Sequence, residues 1–167
     1  PIDFPHEWGE NRFETEANPH GHQQEESQAS QGEVPKAPNG FETARTAHFI
    51  VFSEGNAVPA EFLETLESLH SNVMLDLAAF APWARSERVT LYLFQTQAAY
   101  QKFTGRPAWS GGSSSVERRT LYLYRSTELI GILAHELTHV YFDSFFAAGK
   151  ANPLWLSEGM ATFIQIQ

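Results

Sequence analysis

Five consecutive residues, His135-Glu136-Leu137-Thr138-His139, constrain this chain more than any others. Histidines at i and i+4 stand about 40° apart around an α-helix and one turn apart along it, so the two imidazoles meet at one point if the segment is helical. Leu133, Leu137, Val140 and Tyr141 give such a helix a buried face. One Zn²⁺ accepts both rings at about 2.0–2.1 Å. Glu136 is turned about 100° from His135. It does not share the histidines' ligand geometry comfortably, but it reaches the open position beside the ion, where a general base acts. The plain alternative is a pair of hydrogen-bonded histidines on a core helix.

A catalytic zinc takes three protein ligands and keeps one position open. Asp143 continues the i, i+4 series, yet it lies eight residues from His135, about 12 Å along the axis, too far to join both histidines on one ion. It is placed to accept a hydrogen bond from His139, or else to sit in solvent. Glu158 is the better third ligand. It falls in Trp155-Leu156-Ser157-Glu158-Gly159-Met160-Ala161, early in a further helix that a short turn brings back antiparallel over the pair. The small Gly159 and Ala161 are read as permitting close helix contact.

The rest of the chain reads as one domain behind a polar arm. Residues 1–40 hold eight acidic residues against Arg12 and Lys36, which is −6 of the net −9, and no helical or strand period persists there. Ile2, Phe4, Trp8 and Phe13 are its apolar exceptions, and His20, His22, Glu25 and Glu26 offer ligands with which an inhibitory arm would plug a metal site. Residues 41–167 carry the pattern of a folded domain. Strands are expected at 47–52, 88–94 and 119–124, and a strand or flexible loop at 109–115. Helices are expected at 59–80, 97–103 and 127–148, the last stopped by Gly149. A final helix capped by Asn152 and Pro153 follows. This order predicts an α+β fold, a small mixed sheet backed by helices.

Composition removes several classes of function. The net charge of −9 argues against a nucleic-acid partner. No apolar run approaches the roughly 20 residues of a membrane span. The absence of cysteine excludes disulfides, thiolate ligands and a cysteine nucleophile. The chain begins at Pro1 without Met or a signal-like segment, which reads as a processed form or a piece of a longer product.

HELTH, followed after 18 residues by Glu158 within WLSEGMA, resembles the gluzincin zinc metallopeptidases. More narrowly it is similar to the peptidase-MA-like domains of bacterial proteins, in which an HExxH helix precedes P-x-WLxEGxA. Pro153, Trp155, Leu156, Glu158, Gly159 and Ala161 match that pattern. The resemblance covers about residues 46–167. It implies a zincin-like fold, one catalytic Zn²⁺, His135, His139 and Glu158 as its ligands, Glu136 as base, and a peptide or protein substrate. It also implies a Tyr or His that stabilises the oxyanion. In this family that residue and the lower half of the cleft come from a later subdomain, so in this chain the group is either absent or supplied by one of the earlier tyrosines, and the resemblance leaves room for a further C-terminal domain. The resemblance leans toward an extracytoplasmic setting, periplasmic or secreted. The expected substrate path is the edge at 109–115, where Gly111, Gly112 and Ser113 would leave backbone groups open to an extended peptide. A zinc-binding recognition domain with weak catalysis is the alternative function.

Overall fold

The structure, a computed structural model, describes residues 35–146 and 152–166. Contacts along the chain separate Pro1–Lys36 from Ala37–Gln167, and every described element belongs to the second unit. The inhibitory role considered for His20, His22, Glu25 and Glu26 falls outside the described residues, as do the arm's apolar side chains.

Runs rich in Val, Leu, Phe and Tyr become a five-stranded mixed sheet. Its strands are β1 (Phe41–Arg45), β2 (Phe49–Glu54), β3 (Val89–Phe94), β4 (Gly112–Ser115) and β5 (Thr120–Tyr124), in the order β1-β2-β3-β5-β4. The central β2, β3 and β5 are parallel, while β1 and β4 lie antiparallel at the two edges. Parallel neighbours need long connections. Helix α1 (Ala60–Leu77) joins β2 to β3, and α2 (Gln97–Thr104) leaves β3 toward β4. With α3 (Leu129–Thr138) and α4 (Leu154–Gln165), four α-helices accompany the sheet among the described residues. The architecture is α+β, as the order of sequence patterns indicates.

Side-chain alternation divides the sheet into two faces. Val51, Leu91, Leu93, Leu121 and Leu123 meet Leu66, Val73 and Leu77 of α1 and Leu133 and Leu137 of α3 in the main core. The opposite face is an aromatic layer. Tyr92 stacks on Tyr122 with centroids 5.2 Å apart, and Phe103 of α2 packs on Tyr92 and Phe94. Since both faces are covered, β2 is buried along nearly its whole length.

Several boundaries differ from those expected. Strand β1 was not anticipated, because FETAR mixes charge with apolar residues, as an edge strand can. Strand β2 starts at Phe49 rather than 47. Helix α2 is capped at both ends: Thr96 Oγ1 accepts from the Ala99 amide at 3.1 Å, and Gly105 ends it at φ 69°.

The expected single helix over 127–148 is two pieces. Helix α3 ends at Thr138, and His139–Asp143 forms a π-helical turn. His139, Val140, Tyr141 and Phe142 are all buried, so this turn is enclosed on nearly every side, a situation that an amphipathic period does not foresee. The proposed Gly149 stop lies outside the described residues. At the last helix the capping residue is Pro153 alone; Asn152 turns away and donates to Asp143. No helix among the described residues is long and apolar enough to cross a membrane.

Candidate metal centre

Leu133 and Leu137 are fully buried, which fixes the rotation of α3 and holds His135 and His139 on the side facing α4. His139 is completely buried, and the His135 side chain is 13% exposed. Their Nε2 atoms lie 3.1 Å apart. Helix α4 brings Glu158 over them, with Oε2 3.3 Å from His135 Nε2 and Oε1 3.4 Å from His139 Nε2. These three residues form a group able to hold a metal ion. Ligands on a tetrahedral ion with bonds near 2.05 Å stand about 3.3 Å from one another, so the spacing fits zinc.

The outer ring nitrogens decide which way the inner ones face. His139 Nδ1 lies 3.1 Å from Asp143 Oδ2 and 2.9 Å from Ser157 Oγ. A carboxylate only accepts, so Nδ1 carries the proton and Nε2 presents its lone pair to the cluster. His135 Nδ1 faces Gln165 Oε1 at 3.1 Å, with the same consequence. Two imidazole lone pairs and a carboxylate therefore converge on one point, and a cation there relieves their mutual repulsion. That donor set, two imidazoles and one carboxylate, is one that catalytic zinc uses.

Asp143 is not among the converging ligands. It receives three hydrogen bonds, from His139, from Ser157 Oγ at 2.8 Å and from Asn152 Nδ2 at 2.7 Å. Anchored in this way, the carboxylate sets the tautomer and orientation of the His139 ring. Neither Ser157 nor Asn152 was assigned this work from sequence. Ser157 carries a faint signal as the neighbour of Glu158, whereas Gln165 and Ser114 carry none.

Glu136 is 5% exposed and points toward β4. Ser114 Oγ donates to its Oε2 at 2.6 Å, which pins the carboxylate and leaves Oε1 for other chemistry.

The residues read as a substrate edge lie on β4 and just before it. Strand β4 is the outer strand of the sheet beside β5. Its glycines, however, serve packing. A Cβ on Gly112 would meet Leu123 Cδ2 at 2.4 Å and Ile132 Cγ2 at 2.8 Å, and one on Gly111 would meet Ile132 Cδ1 at 3.0 Å. The glycines let α3 settle onto β4. Ser113 is buried and accepts from the Tyr100 hydroxyl at 3.2 Å, so its side chain is on the face away from Glu136. Ser114 is the residue that faces the site.

Gly159 also has a different role from the one expected. A Cβ there would meet nothing within 4 Å, so it is Ala161, fully buried, that provides the close helix contact. The tyrosines considered as oxyanion donors are engaged elsewhere. Tyr92, Tyr100, Tyr122 and Tyr124 belong to the aromatic layer, and Tyr141 bonds His70 at 2.6 Å. Scans of the sequence against family models and against curated proteins find no match.

Proposed function

We propose that residues 41–167 are a zinc-dependent peptidase domain in which His135, His139 and Glu158 hold the metal and Glu136 is the general base. The observation that supports this reading most is the convergence of His135, His139 and Glu158, whose nearest ligand atoms lie 3.1–3.4 Å apart pair by pair, with both imidazoles turned inward by their outer hydrogen bonds. The resemblance of HELTH and WLSEGMA to gluzincins points the same way. Zinc bound there supplies a Lewis acid that polarises the scissile carbonyl and lowers the pKa of water to about 7. Glu136, held through Oε2 by Ser114, takes the proton of the attacking water at Oε1 and passes it to the leaving amine. Asp143 and Ser157 keep the His139 ring in the tautomer that binds metal. The substrate is an extended peptide, added as a strand along the outer edge of β4.

The test separates metal from base. Elemental analysis of the purified domain should give about one zinc per chain. Glu136→Gln should retain that zinc and lose peptide hydrolysis by about 10²–10⁴-fold, while His139→Ala should lose both. Full activity in Glu136→Gln, or no stoichiometric zinc after repletion, refutes the reading.

A further inference from the structure

The face of the sheet opposite the histidines holds a cavity of about 330 Å³ beside β4. Phe103 and Thr104 of α2, Arg106 just beyond it, the Ser113–Ser115 run of β4, Arg118 and Tyr122 line it. No acidic side chain does, in a chain with 20 acids. Thr104 Oγ1 gives its hydrogen to the Tyr100 carbonyl, whereas two serine hydroxyls keep theirs. Ser113 accepts from Tyr100 and Ser115 accepts from the Arg118 amide at 3.3 Å, so each hydroxyl keeps its own hydrogen to donate. Neither Arg106 nor Arg118 is paired with a carboxylate among the described residues. Burial and Tyr122 raise the Tyr92 phenol, and the positive charge of Arg118 draws it back down. Two guanidinium groups with convergent hydroxyls match a carboxylate.

The position of this cavity connects it to the reaction. A peptide paired with β4 sends successive side chains to opposite faces of the sheet. One set faces Ser114, Glu136 and the histidines. The alternate set faces Ser113, Ser115 and the two arginines. We propose that the cavity is a subsite for an acidic side chain of the extended substrate, so that the domain selects Asp or Glu at alternate positions near the cleaved bond. This inference rests on the peptidase reading above.

The zinc-loaded full chain carrying Glu136→Gln is titrated with fluorescein-labelled peptides built from Ala and Thr, in which a single Glu is walked through the sequence. Anisotropy reports binding, and the wild-type chain reports cleavage of the same set. Glu at alternate positions is expected to tighten binding about tenfold over the neutral parent. Arg106→Ala or Arg118→Ala should bring that ratio close to one, and Arg118→Glu should turn the preference toward Lys. High salt should weaken the preference in the unsubstituted pocket, a check that needs no folding of a variant. If the neutral parent is cleaved but Glu brings no alternating gain, or the arginine variants keep it, the subsite is refuted and the peptidase reading stands. If no peptide is bound or cleaved, the peptidase reading falls and the subsite with it.

Discussion

At the scale of single residues, the centre depends on a distinction between two acids that the sequence places in similar company. Asp143 and Glu158 both lie near His139, yet one carboxylate meets its outer nitrogen and the other its inner nitrogen. If zinc binds as proposed, Asp143→Asn is expected to keep the ion with affinity about 10–100-fold weaker, since it loses only the anchor of the ring. Glu158→Ala removes a ligand and should lose stoichiometric zinc. Competition with a chromogenic chelator measures both. Equal weakening in the two variants would overturn the division of roles. Glu158 was singled out from sequence because a separate helix frees it from the eight-residue separation that excludes Asp143. The hydrogen bonds that Ser157 and Asn152 give to Asp143 follow from how α4 docks, which no residue spacing states.

At the scale of elements, the glycines show how far composition can mislead. Gly112 and Gly159 look interchangeable as small residues, but one lies under α3 and the other faces open space. Gly112→Ala is expected to destabilise the domain by about 1–3 kcal/mol, because the new methyl overlaps Leu123 and Ile132 in a packed seam. Gly159→Ala is expected to stabilise it by roughly 0.5–1 kcal/mol, because a glycine inside a helix costs backbone entropy with no contact in return. Urea unfolding of both variants gives the signs, and a neutral Gly112→Ala would sink the packing argument. The π turn His139–Asp143 belongs to the same scale. Helical periodicity anticipated α3, which carries His135, but not the wider turn that begins at His139.

At the scale of the whole molecule, a chain of polar and ring contacts runs from the buried π turn to the half-buried His48 and Glu67. Tyr141, in the π turn, bonds His70 of α1; His70 stacks at 3.8 Å on His48; and His48 Nδ1 meets Glu67 Oε2 at 2.6 Å. Burial pushes the Tyr141 phenol well above its ordinary range, so the hydroxyl that meets His70 Nδ1 stays protonated. Burial, with the neighbouring His48, pushes His70 below its ordinary 6.5. A histidine depressed in the folded state binds its proton more readily when unfolded. Its share of stability is therefore complete above about pH 6.5 and declines as pH falls from there toward the folded value. For Glu67, burial pushes upward, but hydrogen bonds from His48 and Thr46 prevail and lower it, so its effect belongs below 4.5. Unfolding in urea with chelator present should show the wild type losing stability between pH 7.5 and 5.5 and His70→Gln losing less. Equal losses would remove His70 from the account.

Much of the fold and part of the centre were legible in residue order alone, and the reason is that they rest on local periodicity. A spacing of four residues puts His135 and His139 on one side of any helix, a continuous apolar run marks β2, and alternation marks β3 and β5. The chain's lack of cysteine and its acidity likewise need no coordinates to narrow the chemistry. Tertiary structure decided what depends on register and docking between distant segments. Ser114 reaches Glu136 across 22 residues, Gln165 reaches His135 across 30, and His70 reaches Tyr141 across 71. Which face of β4 carries Ser113, and which glycine lies under a helix, follow from how β4 pairs with β5 and how α3 lies across them. A one-residue slip in that pairing would exchange the two faces, so only the assembled sheet decides which serine meets Glu136 and which faces the arginines.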